Sequence, residues 1–457
     1  MIYDLVLEQG HLITPQATFK AHLGIKDGRI AALSQSKLQA ERYLNLTGKL
    51  VFPGVVDLHV HFSEPGRDYW EGWQTGSHAA AMGGVTTVVD MPLNAIPATT
   101  NLKALHTKVT LAQQKSHVDF ALWGGLVDDN LADLKDLADH GVIGFKAFMV
   151  DIKDDSFRFI DDELLFEGMK RIAELGHFLA LHAEDNRMTW EATTKLQAMG
   201  RRDRAAWGEA RSPAVELKAI HKALKLAKAA HCPIHIVHVS IPEGAKLIRG
   251  AAHQGQQVTF ETCAHYLSLT EEDFWHIGPE AKCAPPLRDK ARQNELWQML
   301  LAGEIDCVTS DHSPCTLEEK TRGLEDICAA CGGITGIQTL LPLMFSEGLK
   351  RGLALEELSQ LLSTRPAKLA GLWPQKGEIR LGADADLVII DPKQCFEVTE
   401  NWLKSKNPHS PFMNWQLKGK IERVLLRGEQ VIEEDGLQIA NKGLWLKPTV
   451  LSTSLHP

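Results

Sequence analysis

Between Pro53 and Trp373 the chain alternates short apolar runs with amphipathic stretches, and this alternation restricts the fold more than any other feature. The strand candidates are "VFPGVVDLHV", "GVTTVVDMP", "VDFALWGG", "VIGFKAFMV", "FLALHAED", "CPIHIVHVS", "QQVTFETCAHY" and "EIDCVTSDHSP". Between them lie stretches such as "DELLFEGMKRIAELG" and "SPAVELKAIHKALKLAKAAH", whose apolar residues recur at helical spacing. Parallel strands need a long crossover, usually a helix, so this order reads as βαβ units. Eight strands of this kind predict an α/β fold, a (β/α)8 TIM-like barrel over residues 54–373. A doubly wound open sheet is the alternative. No G-x-G-x-x-G or G-x-x-x-x-G-K-[ST] follows any strand, which argues against nucleotide binding.

The two ends of the chain have a different texture. "YDLVLEQGHLITP", "AHLGIKDGRIAALSQ" and "ERYLNLTGKLVFPG" read as strands and turns, with a hairpin signal at Lys26-Asp27-Gly28. "GEIRLGADADLVIIDP" and "IERVLLRGEQVIEEDG" return to that style, which predicts one smaller β domain built from residues 1–53 and 374–457. A net charge of -9 without any basic run excludes a nucleic-acid surface. The first residues carry Asp4 and Glu8 and lack a basic start, and no apolar run is long enough for a bilayer, so neither export nor a membrane is expected. Eight scattered cysteines read as reduced thiols, which makes a cytoplasmic protein the expectation.

The polar residues fall at the ends of the apolar runs. His59 and His61 are two apart, so on a strand their imidazoles share a face, an arrangement that suits a divalent metal. "FLALHAED" supplies His182, "IHIVHVS" supplies His238, and "DCVTSDHSP" supplies Asp311. In a barrel such ends converge on one mouth. Lys146 sits among Ile143, Phe145, Phe148 and Val150, where an ammonium is costly unless it is paired, deprotonated or modified. A deprotonated amine can capture carbon dioxide, and the resulting carbamate has two oxygens with which to bridge two cations. His235 lies three residues before His238, on the opposite side of a regular strand, and reads as structural. Cys328-x-x-Cys331 lacks the partners of a structural zinc site, and the H-x-E at His182 lacks the matching P-C-x-x-C of a nucleobase deaminase.

The ordered set "HVH", "GFKAF", "LHAE", "VHVS" and "TSDHSP" resembles the amidohydrolase superfamily, and within it the cyclic amidases. "KGEIRLGADADLVIID" resembles the segment that leaves the barrel for a β-sandwich in that group. "HFSEPGRDYWEGWQTGSHAAAMGGVTTVVDMPLNAIPATT", "KCAPPLRD" and "SDHSPC" are most similar to the allantoinases. The resemblance implies two divalent metal ions per subunit, zinc first, with cobalt, manganese or iron also compatible. It places His59, His61 and Asp311 on one ion and His182 and His238 on the other. Lys146, as N6-carboxylysine, would bridge them, and Asp311 would also move the proton. Implied substrate contacts are Ser63, Asn94, Ala284 and the backbone of Gly332 and Gly333, and the implied assembly is a homotetramer. Dihydroorotases carry an arginine at the position of Ser63, and hydantoinases a tyrosine at that of Asp151; both departures favour allantoin, opened to allantoate. Ala284 departs the other way, since a serine is expected there. Non-catalytic scaffold relatives lose metal ligands, and all six are present here.

Overall fold

In the computed structural model, which describes residues 2–433, 436–437 and 441–449, strands from the two ends of the chain meet in one nine-stranded sheet. Leu50–Pro53 pairs antiparallel with Leu387–Glu397, Leu387 opposite Pro53 and Ile389 opposite Val51. Tyr3–Ile13, Thr18–Lys26 and Arg29–Ser34 continue the sheet on one side, with Ala40–Asn45 also pairing to Tyr3–Ile13. Gln416–Leu426, Glu429–Glu433 and Gly436–Leu437 extend it on the other. The turn residues explain two of its hairpins. Asp27 and Gly28 have φ of 51° and 74°, and Arg427 and Gly428 have 47° and 74°, both in the left-handed geometry that two-residue hairpins require. Leu23, Ile25, Val51, Leu387 and Leu425 fill the core of this sheet.

The intervening strands are all parallel. Val55–Val60, Val85–Asp90 and Asp119–Leu122 form one sheet. Gly124–Gly125, Phe145–Phe148, Leu179–His182, Ile234–Ile236, Val258–Cys263 and Cys307–Thr309 form a second. Only Trp123 separates the two sheets along the chain, and a parallel bridge between Val60 and His312 joins their far edges. Every residue of these strands is buried, as expected where helices cover parallel strands. The helix Asp162–Glu174 shows how the crossovers form. The Asp161 side chain accepts from the Glu163 and Leu164 N–H groups, and Leu165, Gly168, Met169 and Ile172 present one buried stripe.

Two of the apolar runs stop short of their functional ends. The sixth strand ends at Ile236 and the last at Thr309, so His238 and Asp311 stand beyond the strands, with φ of 42° and 44°. Left-handed backbone in such residues costs on the order of 1–3 kcal/mol and concentrates at functional sites. Strand alternation therefore does not govern where His238 points. Among the described residues no helix is long and apolar enough to cross a membrane.

Candidate metal centre

The strand ends carry a row of imidazoles. His59 lies at the end of Val55–Val60, with its ring centroid 5.3 Å from that of His61 and 5.4 Å from that of His238. His182, at the end of Leu179–His182, lies 4.5 Å from His238. Asp311 closes the row, one carboxylate oxygen lying 3.2 Å from His59 Nε2 and 3.4 Å from His61 Nε2. Donor atoms of His59, His61 and Asp311 all fall within 4.8 Å of one another, a spacing that one metal ion can collect. Asp57 fixes this end of the fold, since its buried carboxylate accepts from the backbone N–H of both His59 and Ser310.

Lys146 is fully buried beside this row, in the middle of Phe145–Phe148. Its Nζ has no hydrogen-bond partner and lies 5.0 Å from the Phe148 ring, which stacks on His182 at 4.6 Å. Burial draws the amine down to about 7, against the opposing pull of Glu261 and Asp311. A substantial neutral fraction therefore exists near pH 7, the form that can act as a nucleophile. Burial likewise lowers His61, His182 and His238, so their lone pairs are free to ligate. Burial works to raise Asp311, but His59 and His61 outweigh it and hold the carboxyl at about 2. The site thus combines neutral imidazoles, an uncharged amine fraction and a carboxylate. That donor set fits divalent cations.

Two buried carboxylates hold the imidazoles from behind, Glu261, which the sequence reading did not single out, and Glu184, which it met only as the end of the H-x-E at His182. Glu261 accepts from His59 Nδ1 at 2.5 Å, which turns His59 Nε2 towards Asp311. The same carboxylate meets His235 Nε2 at 3.2 Å and the His238 backbone N–H at 3.3 Å. His235 is completed by Thr259 Oγ1 at 2.8 Å, so both its nitrogens are used within the protein. Glu184 meets His182 Nε2 at 2.6 Å and is itself paired with Arg211. Despite burial, His59 and His235 keep Glu261 well below the usual carboxylate range, and Arg211 and His182 hold Glu184 at about 2. Carboxylates that orient ligating histidines raise their basicity and fix their tautomer. A charged residue inside "QQVTFETCAHY" was the signal for Glu261, of the same kind that marked Lys146.

The residues named as substrate contacts line the neighbouring loops. Ser63 is buried, with φ of 62° and its hydroxyl 3.3 Å from the His61 carbonyl. Asn94 Nδ2 reaches Ser313 Oγ at 3.5 Å, two residues past Asp311. Gly333 packs on the same Ser313. A Cβ there would lie 2.2 Å from the Ser313 carbonyl oxygen, and φ is 119°, so only glycine fits. The Gly333 N–H donates to Lys282 O at 2.8 Å, and its carbonyl accepts from Lys320 Nζ at 2.6 Å. Its N–H is therefore taken, while Gly332 is exposed. Ala284 is half-buried one residue before Pro285, whose carbonyl accepts from the Tyr266 hydroxyl at 2.7 Å.

Residues 50–431, which contain every strand and ligand candidate of this site, match the amidohydrolase family. The chain belongs to the amidohydrolase family. Among curated members, an allantoinase of Solibacter usitatus is 40% identical over 458 residues, covering 99% of this chain and all of that protein. An allantoinase of Escherichia coli is 38% identical over 452 residues, covering 98% and 99%. Among solved structures, an L-hydantoinase (dihydropyrimidinase) from Arthrobacter aurescens superposes with a TM-score of 0.95 at 35% identity, over 98% of this chain and all of that one. A dihydropyrimidinase from Brevibacillus agri gives 0.90 at 30% identity, over 97% and 98%. This amidohydrolase is therefore a hydrolytic enzyme by family, with a cluster of histidine and aspartate donors able to bind metal.

Proposed function

We propose that the enzyme opens the ring amide of allantoin to give allantoate. The observation that carries this reading is the near-complete alignment with allantoinases at 38–40% identity. The site agrees with it. Ser63 supplies no positive charge for a carboxylated ring, and Ser63, Asn94 and the exposed Gly332 offer hydrogen bonds to a neutral urea group.

The same proposal includes the finer architecture. The eight parallel strands, counting Asp119–Gly125 as one, close into a (β/α)8 barrel over residues 54–373, and the Val60–His312 bridge supports that closure. We assign residues 1–53 and 374–457 to the β-sandwich domain, of which residues 1, 434–435, 438–440 and 450–457 lie outside those the structure describes. We propose a homotetramer in the cytoplasm, which sedimentation and cell fractionation would test.

Two divalent ions fit the centre, zinc first among zinc, cobalt, manganese and iron. His59, His61 and Asp311 would hold one and His182 and His238 the other, with carboxylated Lys146 shared between them. The unpartnered Nζ of Lys146 supports this assignment, because buried polar atoms seldom lack a partner. When bound, the ions supply an acidified water and a Lewis acid for the amide carbonyl. Asp311, ionised and at the rim, takes the proton of the attacking water and returns it to the leaving ring nitrogen. One carboxylate serves as base and then acid because it faces both atoms in turn. Glu261 and Glu184 keep His59 and His182 oriented throughout.

Two measurements test this reading. On one metal-loaded preparation, kcat/KM is expected to be highest for allantoin among allantoin, dihydroorotate, hydantoin and dihydrouracil. A higher value for dihydroorotate or dihydrouracil overturns the substrate assignment and leaves cyclic amide hydrolysis in place. Separately, Glu261→Gln should weaken metal affinity about 10–100-fold, read by chelator competition rather than by activity. Unchanged affinity removes Glu261 from its positioning role.

A further inference from the structure

A second group of metal-type donors lies beside Asp311, and the catalytic reading leaves two of its members unused. Side chains alternate along the strand Val258–Cys263, so Glu261 and Cys263 share one face. Glu261 serves His59 from there. Cys263 ends the strand opposite Thr309, whose hydroxyl lies 3.6 Å from its Sγ, and His265 follows in the helix Ala264–Ser268. Donor atoms of Cys263, His265 and Asp311 all fall within 4.8 Å of one another, as those of His59, His61 and Asp311 do.

Cys263 and His265 are buried, and His265 Nε2 has no hydrogen-bond partner. Buried polar atoms seldom stay in that state. The His265 ring packs 4.3 Å from that of Tyr266, which is itself fixed by the bond from its hydroxyl to the Pro285 carbonyl. Asp311 is the least buried of the three, its side chain 12% exposed, and gives an ion its way in. A comparable group, His235, Glu261 and Cys307, differs because its donors are spent. His235 uses both nitrogens on Thr259 and Glu261, and Glu261 also holds His59. The Cys263 group keeps an idle imidazole nitrogen and a thiol whose hydroxyl neighbour is a weak partner.

We propose that Cys263, His265 and Asp311 form an inhibitory site for a further divalent cation of the zinc or cobalt type. One thiolate, one imidazole and one carboxylate suit such ions, whereas magnesium and calcium take oxygen ligands. On binding, the Cys263 S–H bond breaks, an Sγ–metal bond forms, and the proton leaves to solvent. The effect on turnover rests on the role of Asp311 as proton carrier in the function proposed above. With one carboxylate oxygen on the catalytic ion, only the other can take a proton, and the further cation claims it. Enzyme holding its catalytic ions alone therefore turns over, and excess metal stops it.

Cobalt supplies the readout, because the six ligands assigned to the catalytic centre include no sulfur. Enzyme already loaded with cobalt at that centre is titrated with further cobalt. Near-ultraviolet absorption is followed together with kcat on whichever cyclic amide the substrate comparison identifies. The expected result is a thiolate-to-cobalt charge-transfer band, with kcat falling about 10²-fold or more as the band saturates. Cys263→Ser should keep the parent's turnover, show no band and resist excess cobalt. His265→Gln leaves the thiol in place and should need about 10-fold more cobalt or above, since even an outer partner of a ligand is worth that much. Cys307→Ser should behave like the parent. No band, or a band that survives Cys263→Ser, overturns the site. A Cys263-dependent band with unchanged kcat overturns the inhibition. If no cyclic amide is turned over, the proposed activity fails, while the band still decides the site.

Discussion

Lys146→Ala is expected to strip the enzyme of most of its metal and to abolish measurable turnover. The lysine is fully buried, its Nζ has no protein partner, and burial has already brought it to about 7. A group kept in that state is costly to bury unless it becomes something else, and a carbamate shared by two ions resolves the cost. Alanine removes an unpaired polar atom rather than a partner of one, but the three buried methylenes lost with it leave a cavity, so circular dichroism should accompany the metal analysis to show that the variant is folded. Metal analysis should show the loss directly, and a short carboxylic acid added with zinc should restore part of both metal and activity by standing in for the missing anion. Full metal content and normal turnover in Lys146→Ala would leave the carbamate without support.

Asp311→Asn separates holding metal from moving protons. Asparagine retains the shape and one carbonyl oxygen but cannot accept a proton at neutral pH. General acid–base steps contribute roughly 10²–10⁴-fold, and kcat is expected to fall by about that amount while part of the metal is retained. The parent should keep its base form down to low pH, since His59 and His61 hold Asp311 at about 2 in the protein. A variant within a few-fold of the parent would assign the proton transfer to another group.

The six residues picked out in the sequence lie in one cluster because each interrupts an apolar run at a place where a charge is expensive. His59, His61, Lys146 and His182 are visible on that ground alone. His238 and Asp311 were legible as residue types but not as conformations, since their strands end two residues before them and the backbone then turns left-handed. Glu261 carries the same signal as Lys146, a charged residue inside an apolar strand, but its role depends on His59 and His235, which only the fold brings to its carboxylate. Likewise, two β-rich ends are apparent in the text, but the register that sets Ile389 opposite Val51 is fixed only by packing.

That last pairing has a consequence in time. Leu50–Pro53 leaves the ribosome early, yet the strand it pairs with, Leu387–Glu397, is made only after nearly the whole parallel-strand region has been synthesised. At about 5–20 residues per second the wait is on the order of half a minute. Throughout it the amino-terminal strands present an unpaired edge, the kind of surface to which foreign strands add. Yield in the cell should therefore respond to chaperone supply and to synthesis rate more than the stability of the finished enzyme suggests.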